Sequence, residues 1–122
     1  MTYSCKGYPS NSTDYLDASC LLFAGSSFVS VVDYKSKAAS GIVHSGDLMD
    51  NYKRIGHHII DVNLAGINLN ITSCFFTLAA WNSPTIQYFP NPSLKMFDKT
   101  NPDKQLCNYS NFLTTFINVT CD

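Results

Sequence analysis

Charge is scarce in this chain. Charged residues make up 14% of its 122 residues, against 45% hydrophobic. That balance excludes a disordered polymer, which needs low hydrophobicity and high charge. It also predicts large buried faces or a surface covered by a partner. Basic residues form no run: Lys6, Lys35, Lys37, Lys53, Arg54, Lys95, Lys99 and Lys104 are scattered, and the net charge is −1. A phosphate-tracking stripe is therefore missing, and nucleic-acid binding is not expected. Arg54 is the single arginine, which leaves little for bidentate recognition of phosphate or bases.

Metal and disulfide signatures are missing as well. The five cysteines, Cys5, Cys20, Cys74, Cys107 and Cys121, are odd in number and include no C-x-x-C pair. Neither a disulfide framework nor a zinc knuckle is signalled. Cys20 and Cys74 sit in apolar runs, where a free thiol packs as a small core residue. No apolar run approaches membrane-spanning length, so no membrane partner is expected. The first fifteen residues are polar and lack the apolar stretch of a signal peptide. A cytoplasmic location is the resulting expectation. Four N-x-S/T triplets, at Asn11, Asn70, Asn108 and Asn118, matter only in a secreted chain. In a sequence this rich in Ser, Thr and Asn they read as chance.

What is present is a series of short apolar runs punctuated by turn residues. This is an all-β pattern, and 122 residues make one domain. Residues 1–13 read as an irregular lead-in, and 14–122 as the domain. Ala18–Phe23 and Phe28–Tyr34 are predicted strands joined by a hairpin at Gly25 and its serines. Gly41–His44 is a short strand that leads into a polar loop, Ser45–Gly56. His57–Leu64 is a predicted strand with His58, Ile60, Val62 and Leu64 on its core face. Residues 65–70 form a connection with a single helical turn. Thr72–Trp81 is apolar on both faces and reads as a central strand covered from two sides, with a short buried helix as the competing reading. Ser93–Asp98 and Gln105–Tyr109 form a hairpin around a loop holding Pro102. Phe112–Cys121 is a last strand. The predicted architecture is a two-layer β-sandwich with short helical turns in its connections. A small barrel is the alternative.

The order of several segments resembles the TerD family, named for tellurium resistance and linked to stress response. Asp14-Tyr15-Leu16-Asp17-Ala18-Ser19 is similar to the family's D-L-D-A-S segment. Val32-Asp33-Tyr34 and then His44-Ser45-Gly46-Asp47 are similar to its strand ending in H-x-G-D. Ile60-Asp61-Val62-Asn63-Leu64 and Phe75–Trp81 are similar to its I-x-V-D-L and apolar strand pair. Asn91–Asp98 and Gln105–Tyr109 match its closing hairpin. The likeness covers residues 14 to 109. It implies a β-sandwich with a cytoplasmic, non-enzymatic role. It also implies calcium binding by an acidic loop after H-x-G-D, and in a few eukaryotic members cyclic-AMP binding.

This chain departs from the calcium loop. The family's D-D-E positions fall on Gly56, His57 and His58, while Lys53 and Arg54 are additions. Calcium takes six to eight oxygen ligands, so calcium is expected to bind weakly or not at all. Asp47 and Asp50 are the residual ligand candidates, with loop capping as their structural reading. Asp17, Asp33, His44, His57 and Asp61 are candidates for ligand contacts or for support of that loop. The family has further strands at both ends, so an open sheet edge is expected, with self-association or an unidentified protein as partner.

Other chemistries are less well supported. His57 and His58 are consecutive, and on a strand they point to opposite faces, which opposes a shared zinc. A hydrogen-bonded structural role is expected for His58 and a solvent-facing one, beside Asp61, for His57. Ser45 lacks a G-x-S-x-G elbow, and nothing near Cys20 or Cys74 activates a thiol. Trp81 is expected to pack in the core. The leading expectation is a TerD-like scaffold or binding module with a degenerate calcium loop. A regulatory domain for calcium or cyclic AMP comes second, and a metal-dependent hydrolase last.

Overall fold

The computed structural model describes residues 2–4, 15–50, 52–53, 55–83, 85–86, 89 and 92–110, with 2–4 and 107–110 described by backbone alone. The protein is all-β. In chain order its strands are β1 (Thr2–Ser4), β2 (Leu16–Ala24), β3 (Ser27–Val32), β4 (Ala38–Ala39), β5 (Ile42–His44) and β6 (Leu48–Asp50). Then come β7 (Ile55–His57), β8 (Ile60–Val62), β9 (Ser73–Ala80), β10 (Ser93–Asp98) and β11 (Asn101–Ser110). A 3-10 turn at Leu64–Gly66 follows β8. The strands form antiparallel sheets in the orders β3-β2-β9, β4-β5-β8 and β11-β10-β1-β7-β6.

The long strand β2 organises the packing. Its burial alternates strictly from Leu16 to Leu22, as a strand with one face on the core must. Leu16, Ala18, Cys20 and Leu22 pair across the ladder with Ala80, Leu78, Phe76 and Cys74 of β9. Cys20 also pairs with Val32 of β3. These inward side chains meet Ile42 of β5, Ile60 of β8 and Met49 of β6. One sheet thus lies over strands drawn from the other two, which gives two layers around two buried clusters that share Ile60. Leu16, Leu22, Ile42 and Leu78 are fully buried, each worth roughly 1.5–3 kcal/mol relative to exposure.

Several segments differ from the sequence reading. Thr2–Ser4, expected to be irregular, is a strand between β10 and β7. The stretch Ser45–Gly56, expected to be a loop, contains the β6–β7 hairpin, with Leu48 opposite His57 and Asp50 opposite Ile55. The predicted single strand over residues 57–64 is broken into β7 and β8, which belong to different sheets. Ser45 causes the break. Its N–H donates to the Ile59 carbonyl at 2.8 Å, and its Oγ accepts the Ile59 N–H at 2.9 Å. The predicted core face therefore holds for His58 and Ile60 but not for Val62 and Leu64, which are exposed.

β9 is a strand and not a helix, yet among the described residues it pairs only with β2. β2 is the central strand of that sheet. Trp81 is 56% exposed and stacks edge-on against Tyr34 instead of entering the core. Pro102 lies inside β11, on a strand at the end of the five-stranded order, where a missing N–H is tolerated. Phe112–Cys121 lies outside the described residues.

The turn before β5 tolerates only glycine. Gly41 has φ +77°, and a Cβ there would stand 2.7 Å from the Gly66 carbonyl carbon. Gly25 has φ +61° but open space around it. Gly41→Ala is therefore expected to cost about 3 kcal/mol, from backbone strain plus a steric shift. Gly25→Ala should cost about 1 kcal/mol, the left-handed penalty alone. Urea unfolding of the two variants checks the order; equal losses would show that the Gly41–Gly66 contact relaxes freely.

Candidate functional site

The β2–β3 ladder stops at Cys20↔Val32, two residues short of Ala18. Asp33 turns the chain away there: its Oδ1 accepts the N–H groups of Lys35 and Ser36 at 2.9 and 2.6 Å. Ala18 faces Leu78 across β9. Its N–H and C=O nevertheless bond to side chains and not to β9, so they point toward the edge that β3 has left.

Two histidine rings fill that gap. The Ala18 N–H donates to Nδ1 of His58 at 3.1 Å, and Nε2 of His44 meets the Ala18 carbonyl at 3.0 Å. The Gly46 N–H donates to Nδ1 of His44 at 2.8 Å, and Nε2 of His58 meets Oδ1 of Asp47 at 2.7 Å. These partners fix the tautomers. A backbone N–H only donates, so each Nδ1 carries a lone pair. A carbonyl or carboxylate oxygen only accepts, so each Nε2 carries the proton. Both rings are buried, and their centroids lie 5.1 Å apart. Among the described residues no buried side-chain nitrogen or oxygen lacks a partner.

The local sequence makes this arrangement. Gly46 has φ +76°, which swings its N–H back onto His44 two residues earlier. Ser45 brackets Ile59, and the resulting break turns His58 inward. Burial pushes the His58 pKa below its ordinary value, although the Asp47 carboxylate pulls it the other way.

An oxygen of Asp17, an oxygen of Asp47 and a ring nitrogen of His58 lie within 4.8 Å of one another. This grouping does not fit a zinc ion. Metal on Nε2 would displace its proton, and the proton cannot move to Nδ1 while the Ala18 N–H points at it. Nor does it build a calcium cage, because two carboxylates supply too few of the six to eight oxygens. Asp50 stands outside the group. Its Oδ1 accepts the N–H groups of Tyr52 and Lys53 at 3.1 and 2.9 Å, capping the β6–β7 turn.

The other sequence candidates are dispersed. Asp33 caps its own turn. Asp61 pairs with Lys99 at 3.1 Å on the surface, and not with His57. An exposed pair of this kind contributes little stability. His57 is half-buried and lines a shallow groove with Asp47, Leu48, Asp50 and Ile55. The Cys20 thiol is pushed up to about 12, chiefly by burial and then by Cys74, so it stays protonated and is no nucleophile. Sequence reasoning read His58 as structural and His44 only as a loop candidate. It missed that both serve one backbone unit, because nothing in the spacing reveals where β3 ends.

Together the fold and this junction define an all-β protein with a neutral histidine pair sealing the edge of its central strand. Compared with protein families, with curated proteins and with solved structures, the chain finds no match. No helix among the described residues is long and apolar enough to cross a membrane.

Removing the His58 ring should expose the dependence. His58→Ala leaves the Ala18 N–H unpaired in the interior and opens a cavity, an expected loss of about 3 kcal/mol. His58→Gln, whose amide accepts with one atom and donates with the other, should recover at least half of it. Thermal unfolding of both variants at neutral pH tests this; equal losses would leave the hydrogen bonds without a stabilising role.

Proposed function

We propose that this chain is a non-enzymatic binding or scaffold module of TerD type, acting in the cytoplasm in stress response, with calcium binding weak or lost. The observation that carries the reading is the outward face of the β3-β2-β9 sheet. Leu21 pairs there with Val31 on one side and Phe75 on the other. Phe23 packs edge-on against Phe28 at 5.8 Å and Phe75 at 5.3 Å between centroids. Phe28 is 58% exposed. These five side chains carry no charge, and a contiguous uncharged aromatic surface is characteristic of a protein interface.

The polar residues support the same reading from the other side. The histidines are held as neutral hydrogen-bonding groups, Asp33 and Asp50 cap turns, and the Cys20 thiol is inert. None of these is poised for acid–base or nucleophilic chemistry. The converging carboxylates of Asp17 and Asp47 are the feature that favours the second reading, a calcium-regulated domain.

Two measurements separate the readings. Sedimentation velocity should show self-association that Phe28→Asp weakens at least tenfold, with a matching change in fluorescence of the single tryptophan, Trp81. A monomer at every concentration, indifferent to Phe28→Asp, would count against a self-associating scaffold. Calorimetry with calcium should give no stoichiometric binding at micromolar levels. A calcium isotherm abolished by Asp47→Asn would replace this reading with the regulatory one.

A further inference from the structure

The segment between β8 and β9 belongs neither to the aromatic face nor to the Ala18 junction. No charged residue occurs between Asp61 and Lys95, so this segment is uncharged throughout. It is nevertheless firmly held. The β4–β5 turn, Ser40-Gly41, has both residues at positive φ, +50° and +77°, as the favoured two-residue hairpin requires. Ser40 is a poor residue for that conformation. Its Oγ accepts the Asn68 N–H at 2.7 Å. The Gly41 carbonyl accepts the Asn63 N–H at 2.8 Å, and Gly41 lies backbone to backbone against Gly66. Ile71 packs on the cluster of Cys20, Leu22, Val32 and Ile42. Thr72 donates its N–H to the Phe23 carbonyl and accepts the Gly25 N–H on its Oγ, both at 2.8 Å.

The clamped loop holds two leucines away from the protein. Leu64, in the 3-10 turn, is 80% exposed. Leu69 is fully exposed, in a turn that the Ile71 N–H closes on the Asn68 carbonyl at 3.0 Å. Turn positions usually carry Gly, Asn, Asp, Ser or Pro. Asn63, Asn68 and Asn70 fit that pattern and are exposed beside the leucines. The leucines do not fit it, and neither belongs to a core cluster.

We infer that Leu64 and Leu69 seat this loop shallowly in a lipid bilayer surface, with the leucines at the acyl boundary and the asparagines among the headgroups. Size decides against a protein partner. A stable protein interface takes about 800 Å² from each side, more than two side chains supply. Shallow insertion needs only a few apolar side chains, and no apolar run of spanning length. The loop carries no charge, so no ion has to be stripped of water on entry. Its clamp orders it beforehand, so seating loses little conformational freedom.

Flotation with unilamellar vesicles tests this, using phosphatidylcholine alone and phosphatidylcholine with about 30 mol% phosphatidylserine. The full chain should float with both at millimolar lipid, and salt should not release it. Leu64→Asn and Leu69→Asn should each weaken partitioning roughly tenfold, and the two together roughly a hundredfold. Both positions are exposed, so the unfolding temperature should stay unchanged. A Leu69→Trp, Trp81→Phe chain reads insertion without those variants. Its emission should shift to the blue with vesicles and be quenched by lipids brominated along the acyl chain. No flotation of the wild type, or undiminished flotation of the double variant, would overturn the seat. So would binding that needs phosphatidylserine and is lost in salt, or an indole emission that vesicles leave unchanged. Self-association that the double variant abolishes, without flotation, would assign the loop to a second copy and overturn it too.

Discussion

The arrangement of the candidate site follows from one backbone unit of β2 that β9 pairs on one side and β3 leaves open on the other. β3 ends two residues before Ala18, and the Ala18 amide and carbonyl lie inside the protein. Buried and unpaired, each group would cost on the order of 1–3 kcal/mol. Among the described residues no strand takes the vacant position. Two imidazole rings do, one accepting from the amide and the other donating to the carbonyl. A neutral imidazole suits the task because it carries one donor and one acceptor on a rigid ring.

Using rings in place of a strand sets the rest of the arrangement. A strand would have continued the sheet and its flat edge. Side chains reach Ala18 only if their own backbones come from the second layer. The chain must then bend at Gly46 and break at His58–Ile59. Those two irregularities separate β7 from β8 and send them into different sheets. The same break places Met49 and Ile60 over the Leu16–Leu78 core cluster. Polar satisfaction and hydrophobic packing are thus met by a single deformation, and neither can be relaxed without the other.

The sequence discloses this unevenly. The apolar run Ala18–Phe23 and the β-branched run Phe28–Tyr34, separated by turn residues, made β2 and β3 legible, although β2 begins at Leu16 and β3 ends at Val32. The first arm of the closing hairpin was legible at Ser93–Asp98, while its partner begins at Asn101 and takes in the Pro102 stretch that read as a loop. Three-residue strands such as β1 and β6 are too short to show a period, so their residues read as arm or loop. In Thr72–Trp81 two apolar faces suggested cover on both sides. The structure shows one face in the core and the other half-open, since composition reports apolarity and not what covers it. His57 and His58 were correctly assigned to opposite sides, but that parity reveals neither the partner of His58 nor its distance along the chain.

The junction beside Ala18 holds carboxylates and imidazole rings side by side. Gly56, His57 and His58 stand beside the carboxylates of Asp17 and Asp47 without adding an acidic group. A carboxylate cluster repels itself and is stable only when a cation or solvent screens it. His58 removes that need by donating its proton to Asp47, and its other nitrogen binds the backbone of β2. Closing two layers over the open edge of β2 is thus done by side-chain hydrogen bonds in place of a ladder.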